Sequence, residues 1–356
     1  MTRSRKLLLF NYTMDPVNQV FSHQVAVALK LSKNFDDFYV ITSDHGEVEF
    51  GREKFPIVTL DWNKVGKIRK IWSLYFQTLR ALIFFQPTHV FYHMVDTHCS
   101  LVSPIFRIFQ IPQILWYAHT SNSKPLIFSS FFVNRILTST TASFPSKSKR
   151  MAQKVRAIGQ GIDVGLFPQL WKTSNDIDSA VSVGRLDRSK GLMQILQVLG
   201  NERRIPEGFR IAFIGSPITE GSSEYVIESL RNAKHSYPHI EVALLGKIPR
   251  FELGTEIAKY DFFIHAFQGS LDKVLLEATL IGIPVITHNI EYHRIFGTWS
   301  GSQSPSLSEE LNAFLNLPNC TVVEICKSRR VICVNNHSLE QWIDKITFQI
   351  NETSRR

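Results

Sequence analysis

The sequence predicts an α/β protein made of two doubly wound domains with a ligand cleft between them. Three observations predict it. Apolar runs of four to six residues alternate with helical patterns along the 356-residue chain, as parallel sheets covered on both faces require. The alternation breaks once near the middle, at Gly159-Gln-Gly-Ile-Asp163, Pro168 and the polar stretch Thr173–Asp178, which has the composition of a linker. The length suits two domains of about 150–180 residues better than one.

In chain order, Lys6–Tyr12 is the first strand. The basic start and Leu7–Phe10 resemble a leader peptide, but the apolar run is too short and no small-residue cleavage site follows. Strands are then expected at Asp37–Thr42, His89–His93 and Gln113–Tyr117, with helices at Gln19–Lys33 and Val65–Phe85. After the linker come strands at Ser179–Gly184, Phe209–Gly215, Ile240–Leu244, Asp261–His265 and Pro284–His288. Helices are expected between them at Leu192–Leu199, Glu224–Ala233 and Leu271–Ile281, with a last one at Ser338–Ile350. The domains are accordingly 1–168 and 169–337, with the C-terminal helix (about 338–356) returning to the first.

Composition removes several classes. No run of about 18 uncharged apolar residues is present, so a spanning helix is not expected. The four cysteines form no CxxC pair and no metal-ligand spacing, which fits a reducing cytosol and no metal site. The net charge of +9 lies wholly in the first half, where residues 1–170 carry 20 Lys+Arg against 10 Asp+Glu. Such a field favours anionic partners: a phospholipid surface, a lipid-linked pyrophosphate or nucleic acid. Nucleic acid is disfavoured, because no RNP, zinc-finger or helix-turn-helix signature accompanies the charge.

Two stretches carry chemistry. In Ser182-Val-Gly-Arg-Leu-Asp-Arg-Ser-Lys-Gly191 a strand ends at Gly184 and a helix starts near Lys190. Arg185 and Lys190 would project from a turn at the C-terminal end of a parallel strand, and two cations with a helix N-terminus suit a diphosphate. A solvated turn whose cations face water reads the same residues. The second stretch runs from Asp261 through Gly269-Ser-Leu-Asp-Lys273 and Glu277 to Gly282-Ile-Pro-Val-Ile-Thr287. Gly269 lets backbone approach a ligand, and free amides at the helix start can hold phosphate or sugar oxygens. Glu277 can reach a ribose diol, or form an ordinary i,i+4 surface pair with Lys273 worth about 0.3–0.5 kcal/mol.

Together the two stretches resemble the retaining GT-B glycosyltransferases of family 4. Gly159-Gln-Gly-Ile-Asp163 is similar to that family's linker motif, and Gly246-Lys-Ile-Pro249 to the loop before its donor strand. The resemblance covers about residues 155–290 well and the first half loosely. It implies two Rossmann-like domains and transfer of a sugar, with retention, from a nucleotide-diphosphate sugar to a carbohydrate or glycolipid acceptor. Arg185 and Lys190 would then neutralise the donor pyrophosphate without a divalent metal. Gly184, Gly269, Ser270, Leu271, Asp272 and Lys273 would line the donor, and Glu277 would hold the ribose. The family's E-x7-E motif would put its first Glu at 269, where this chain has Gly269. Asp272 or backbone groups would take over, or catalysis would be weakened. A non-catalytic nucleotide-sugar-binding subunit is therefore the second expectation.

The first half is less legible. Met14-Asp-Pro-Val-Asn-Gln19 stands where the family usually has paired glycines. The resemblance assigns His119, after Trp116-Tyr-Ala, to the reacting centre; a structural histidine is the alternative. His93 has similar placement. Lys64–Arg80 is basic and then aromatic, either a helix resting on an anionic membrane surface or a core-packed helix with a solvated first turn. Surface glycan assembly, in the cytoplasm or at the inner face of the membrane, is the expected setting.

Overall fold

The computed structural model describes residues 4–18, 21–44, 54–119, 121, 123–144, 148–170 and 177–353. Gln19 and most of the polar linker stretch, 173–176, lie outside them. The chain forms two compact units, 1–161 with 339–356, and 162–338. The expected linker thus contains the division, with Gly161 closing one stretch and Ile162 opening the next.

The first unit runs β1 (Lys6–Thr13), α1 (His23–Ser32), β2 (Asp37–Asp44), β3 (Ile57–Thr59), α2 (Lys67–Arg80), β4 (His89–His93), α3 (Asp96–Ile108) and β5 (Gln113–Trp116). It continues with α4 (Lys124–Phe132), β6 (Arg135–Thr138), α5 (Lys149–Lys154) and β7 (Val155–Ala157). Its seven strands pair in parallel in the order β3-β2-β1-β4-β5-β6-β7. Alternate residues of β1 serve opposite faces. Leu7 and Leu9 join the core beneath α1, whereas Leu8 and Phe10 join the core beneath α2 to α4. The helix expected at 65–85 is α2 followed by a π-turn at Ala81–Phe85, ended by Gln86 in the left-handed region.

The second unit runs β8 (Ser179–Val183), α6 (Leu192–Asn201), β9 (Phe209–Ile214), α7 (Glu220–Ser236), β10 (Ile240–Gly246), α8 (Arg250–Ile257) and β11 (Phe262–His265). Then come α9 (Lys273–Ile281), β12 (Val285–Thr287), α10 (Ile290–Phe296), α11 (Leu307–Leu315) and α12 (Asn319–His337). Its parallel sheet has the order β10-β9-β8-β11-β12. Asp261 ties the start of the sheet, its Oδ2 accepting from the amides of Asp178 and Ser179 at 3.0 Å.

The last helix, α13 (Leu339–Thr353), belongs to the first unit. Its Trp342, Ile343, Ile346 and Ile350 are buried in the core with Leu7, Phe91 and Trp116. Lys30 pairs with Glu340, and Asn34 donates to Thr347 at 2.9 Å.

Candidate functional site

In the second sheet the strand order reverses between β8 and β11. Connections leave these neighbours in opposite directions, so a crevice opens at their C-terminal ends. The two stretches singled out in the sequence supply the two loops at that crevice.

After β8 the backbone is packed without side chains. The Gly184 amide donates to the Ile214 carbonyl at 2.9 Å, and the Gly215 amide to the Gly246 carbonyl at 2.7 Å. A Cβ on Gly215, whose φ is +140°, would lie 1.8 Å from the Gly184 oxygen, so any side chain there is excluded. Asp187 then starts a 3₁₀ turn, Arg188–Lys190, by accepting from the Ser189 amide at 2.9 Å. This turn sends Lys190 back towards β11, where its ammonium pairs with Asp272 and lies 4.1 Å from the Phe267 ring centroid. Lys190 is therefore no solvated surface cation. Arg185 remains exposed, its Nε 3.6 Å from Asp187. Gly184, Arg185, Leu186, Lys190, Phe213 and His265 line a small, solvent-open hollow.

The loop after β11 is held from below. Asn289 Nδ2 lies 3.0–3.4 Å from the carbonyl oxygens of Phe267, Gly269 and Ser270, and His288 Nε2 donates to the Ala266 oxygen at 2.8 Å. Asp272 is the N-cap of α9, but its side chain makes no capping bond. Its Oδ2 instead meets Lys190 and, at 3.3 Å, His265 Nε2. Burial alone would raise the Asp272 carboxyl, yet the His265 hydrogen bond and the Lys190 charge hold it well below the usual carboxylate range. Burial lowers the His265 imidazole against the opposing pull of Asp272. The fitting arrangement is a neutral ring donating from Nε2, with Nδ1 accepting from the Thr287 hydroxyl at 3.3 Å.

Gly269 has a steric reason to be glycine. A Cβ there would fall 2.0 Å from Phe267 Cζ, and that ring is the one under the Lys190 ammonium. Gly269→Glu should therefore displace Phe267 and destabilise the protein by about 1–3 kcal/mol, the scale of overpacking. In a Phe267→Ala background the same change should cost far less. Denaturant melts of the wild type and the three variants check it, and equal costs in both backgrounds would remove the clash as the reason.

The other predicted residues separate. Leu271 is a core residue packed with Leu275 and Phe263, so only its backbone is available to a ligand. Ser270 is buried at the loop. Glu277 is fully buried, which rules out the ordinary surface pair with Lys273. Its Oε1 accepts from Arg250, at the start of α8, and Oε2 has no hydrogen-bond partner among the described residues. Lys273 is lowered to about 7 by burial and by the nearby Arg250 charge, against the pull of Glu277 and Asp272. The first residue of α9 is therefore an amine able to gain a proton when an anion comes near. Arg250, His265, Phe267 and Asn289 were not singled out from sequence. His265 ends a buried strand, a position that faces a crevice, and Arg250 directly follows Gly246–Pro249; those signals could have found both.

In the first unit His119 is exposed beyond β5, its ring 5.7 Å from that of Tyr117. The Tyr117 hydroxyl bonds to Ser121 Oγ at 2.8 Å. His93, ending β4 beside that sheet's own reversal, is buried with His23 and Trp342 rings within 6 Å, their centroids 5.8 and 5.7 Å away. His93 thus has the surroundings of a core histidine.

No family model matches the chain, and no curated protein matches it in sequence. Solved structures do match in fold. Anabaena Alr3699/HepE, crystallised with UDP and glucose, superimposes with a TM-score of 0.73 at 14% identity, over 98% of this chain and 100% of that one. Sucrose-phosphate synthase from Thermosynechococcus elongatus gives 0.75 at 12% identity, over 99% of both chains. The lipopolysaccharide outer core galactosyltransferase WaaB gives 0.63 at 10% identity, over 99% of this chain and 100% of its own. The chain therefore has the α/β fold, with two Rossmann-like sheets, of GT-B glycosyltransferases.

Proposed function

We propose that the protein is a nucleotide-sugar-dependent, retaining glycosyltransferase of the family 4 kind, acting on a carbohydrate or lipid-linked acceptor in surface glycan assembly. The observation that carries this reading is the contact of Asp272 with both Lys190 and His265. It joins the loops after β8 and β11 at the reversal of the second sheet, where α/β folds hold nucleotides. HepE was also crystallised with UDP-glucose, which supports a nucleotide sugar as the co-substrate.

In this reading the donor diphosphate lies over Gly184 and the start of α9, whose amides Asp272 leaves uncapped. Arg185 and Lys190 face the phosphate on which negative charge grows as the glycosidic bond breaks, and fixed cations stabilise that charge without reorganising. These cations perform the task a divalent metal has in other transferases, so no metal is proposed. The leaving phosphate takes the proton of the acceptor hydroxyl on the same face of the sugar. Glu277 Oε2, the acceptor left over from its pair with Arg250, fits a ribose hydroxyl. Asp272 or the 269–271 backbone meets the sugar in place of a Glu at 269. His119 is assigned to the reacting centre by the family resemblance alone. The setting is cytoplasmic, at the inner face of the membrane where the acceptor is lipid-linked.

Calorimetry with UDP, GDP, ADP and their sugars tests this. One nucleotide class should bind, and near pH 8 binding of its diphosphate should be accompanied by proton uptake at Lys273. Lys273, lowered to about 7 in the free protein, is then largely neutral, and an adjacent anion favours its charged form. Titrations in buffers of different ionisation enthalpy read the uptake. Binding by none of the three sinks the reading; proton release would put the diphosphate away from Lys273. Binding without turnover over a broad acceptor panel would favour the second reading, a nucleotide-sugar-binding subunit. That reading is motivated by Gly269 and by a Lys190 already neutralised by Asp272.

A further inference from the structure

Helix α2 turns its bulk outwards. Only Leu74 and Thr78 are buried along it, whereas Ile68, Trp72, Phe76 and Leu79 are between 46% and 75% exposed. Ile83 in the π-turn continues them. Steps of three and four residues put these five side chains on one stripe, turned away from the sheet. A core-packed α2 is thus excluded at Trp72 and Phe76. The neighbouring helices add Ile108 and Phe109 at the end of α3 and Phe128 and Phe131 on α4, all exposed. Half of the exposed large hydrophobic side chains among the described residues lie between 68 and 131. An apolar concentration of that kind marks an interaction surface.

Charge identifies what covers it. Between Asp61 and Asp163 the chain has thirteen lysines and arginines and a single acidic residue, Asp96, whose carboxylate is engaged by Ser123. Arg69 and Arg80 lie beside the stripe on the helix and are exposed, as are Lys67, Arg107 and Lys124. An outward apolar stripe bordered by cations that have no counter-charge among the described residues matches the boundary between acyl chains and anionic headgroups. No helix among the described residues is long and apolar enough to cross a membrane. We propose that α2, its π-turn and the adjoining parts of α3 and α4 dock the protein on an anionic bilayer, with Trp72 and Phe76 inserted at the headgroup boundary.

The test needs no nucleotide, so it stands or falls separately from the donor site. Full-length protein is sedimented with phosphatidylcholine vesicles with and without phosphatidylglycerol. Wild type should bind the mixed vesicles at low salt and keep part of that binding at physiological ionic strength, because inserted apolar area is not screened. Trp72→Ser/Phe76→Ser should bind at least about tenfold more weakly, with an unchanged circular-dichroism melt, since both side chains are exposed. Arg69→Glu/Arg80→Glu should lose the preference for phosphatidylglycerol. Wild type that ignores the mixed vesicles, or a serine variant that binds them as tightly, overturns the proposal. Concentration-dependent dimers abolished by the serine variant, with no vesicle binding, would also overturn it and assign the face to a second copy of the chain.

Discussion

Lys190→Ala should lower the rate of sugar transfer by about 10²–10³-fold, the usual scale for losing one charge-stabilising group, or roughly 3–4 kcal/mol of barrier. The size follows from placement. The Lys190 ammonium is largely sheltered, held by Asp272 and seated on the Phe267 ring, so its position is fixed before any donor arrives. A preset charge is worth most where negative charge develops during reaction, and it does less for the ground state. Saturating-donor kcat should therefore fall more than KM rises. Asp272 would keep His265 as a partner, and its carboxyl would rise because one of the charges lowering it is gone. A kcat within a few-fold of wild type would remove Lys190 from the reaction.

The second large effect is on stability. Glu277→Ala should cost about 3 kcal/mol or more, because it leaves Arg250 facing a buried hole with its charge unpaired. Removing both partners should cost less than removing one, so Glu277→Leu/Arg250→Met should be more stable than either single change. Glu277→Gln keeps the volume and an acceptor oxygen, and should lose less stability than alanine. Nucleotide binding should weaken in all three variants. Losing the carboxylate would also push Lys273 further down, since Glu277 is among the groups holding it up. Urea unfolding of the single and double variants reads the cycle; additive costs would mean that Arg250 and Glu277 are not coupled.

How much of this was legible depended on how local the signal was. Strands such as Leu7–Phe10 and Phe262–Ile264 are uninterrupted apolar runs, and the structure places strands over both. Helix α3 was missed because Pro104 lies inside it, and proline argues against a helix interior. The strand Val155–Ala157 is short and half-exposed at a sheet edge, so it carries no apolar run. At the site, the two loops could be named, because glycines and cations after a strand have a local signature. The contact that joins them could not be. Lys190 and Asp272 are 82 residues apart, and only the strand order brings them together. Glu277 was expected to reach a ribose or to form a surface pair with Lys273, and its burial removes only the surface pair. Its burial depends on α8, whose Arg250 has no periodic relation to it.

The return of α13 to the first unit has a consequence for how the chain is made. The second unit is one unbroken stretch, 162–338, whereas the first is assembled from pieces on either side of it. During synthesis the later half of the molecule can therefore close its own core while the earlier half still waits for Trp342 and Ile346. Trp116, whose ring meets that of Trp342 at 4.9 Å between centroids, must meanwhile stay uncovered on its face of the sheet. The part translated first is the part finished last, and it is the one with most to gain from a chaperone.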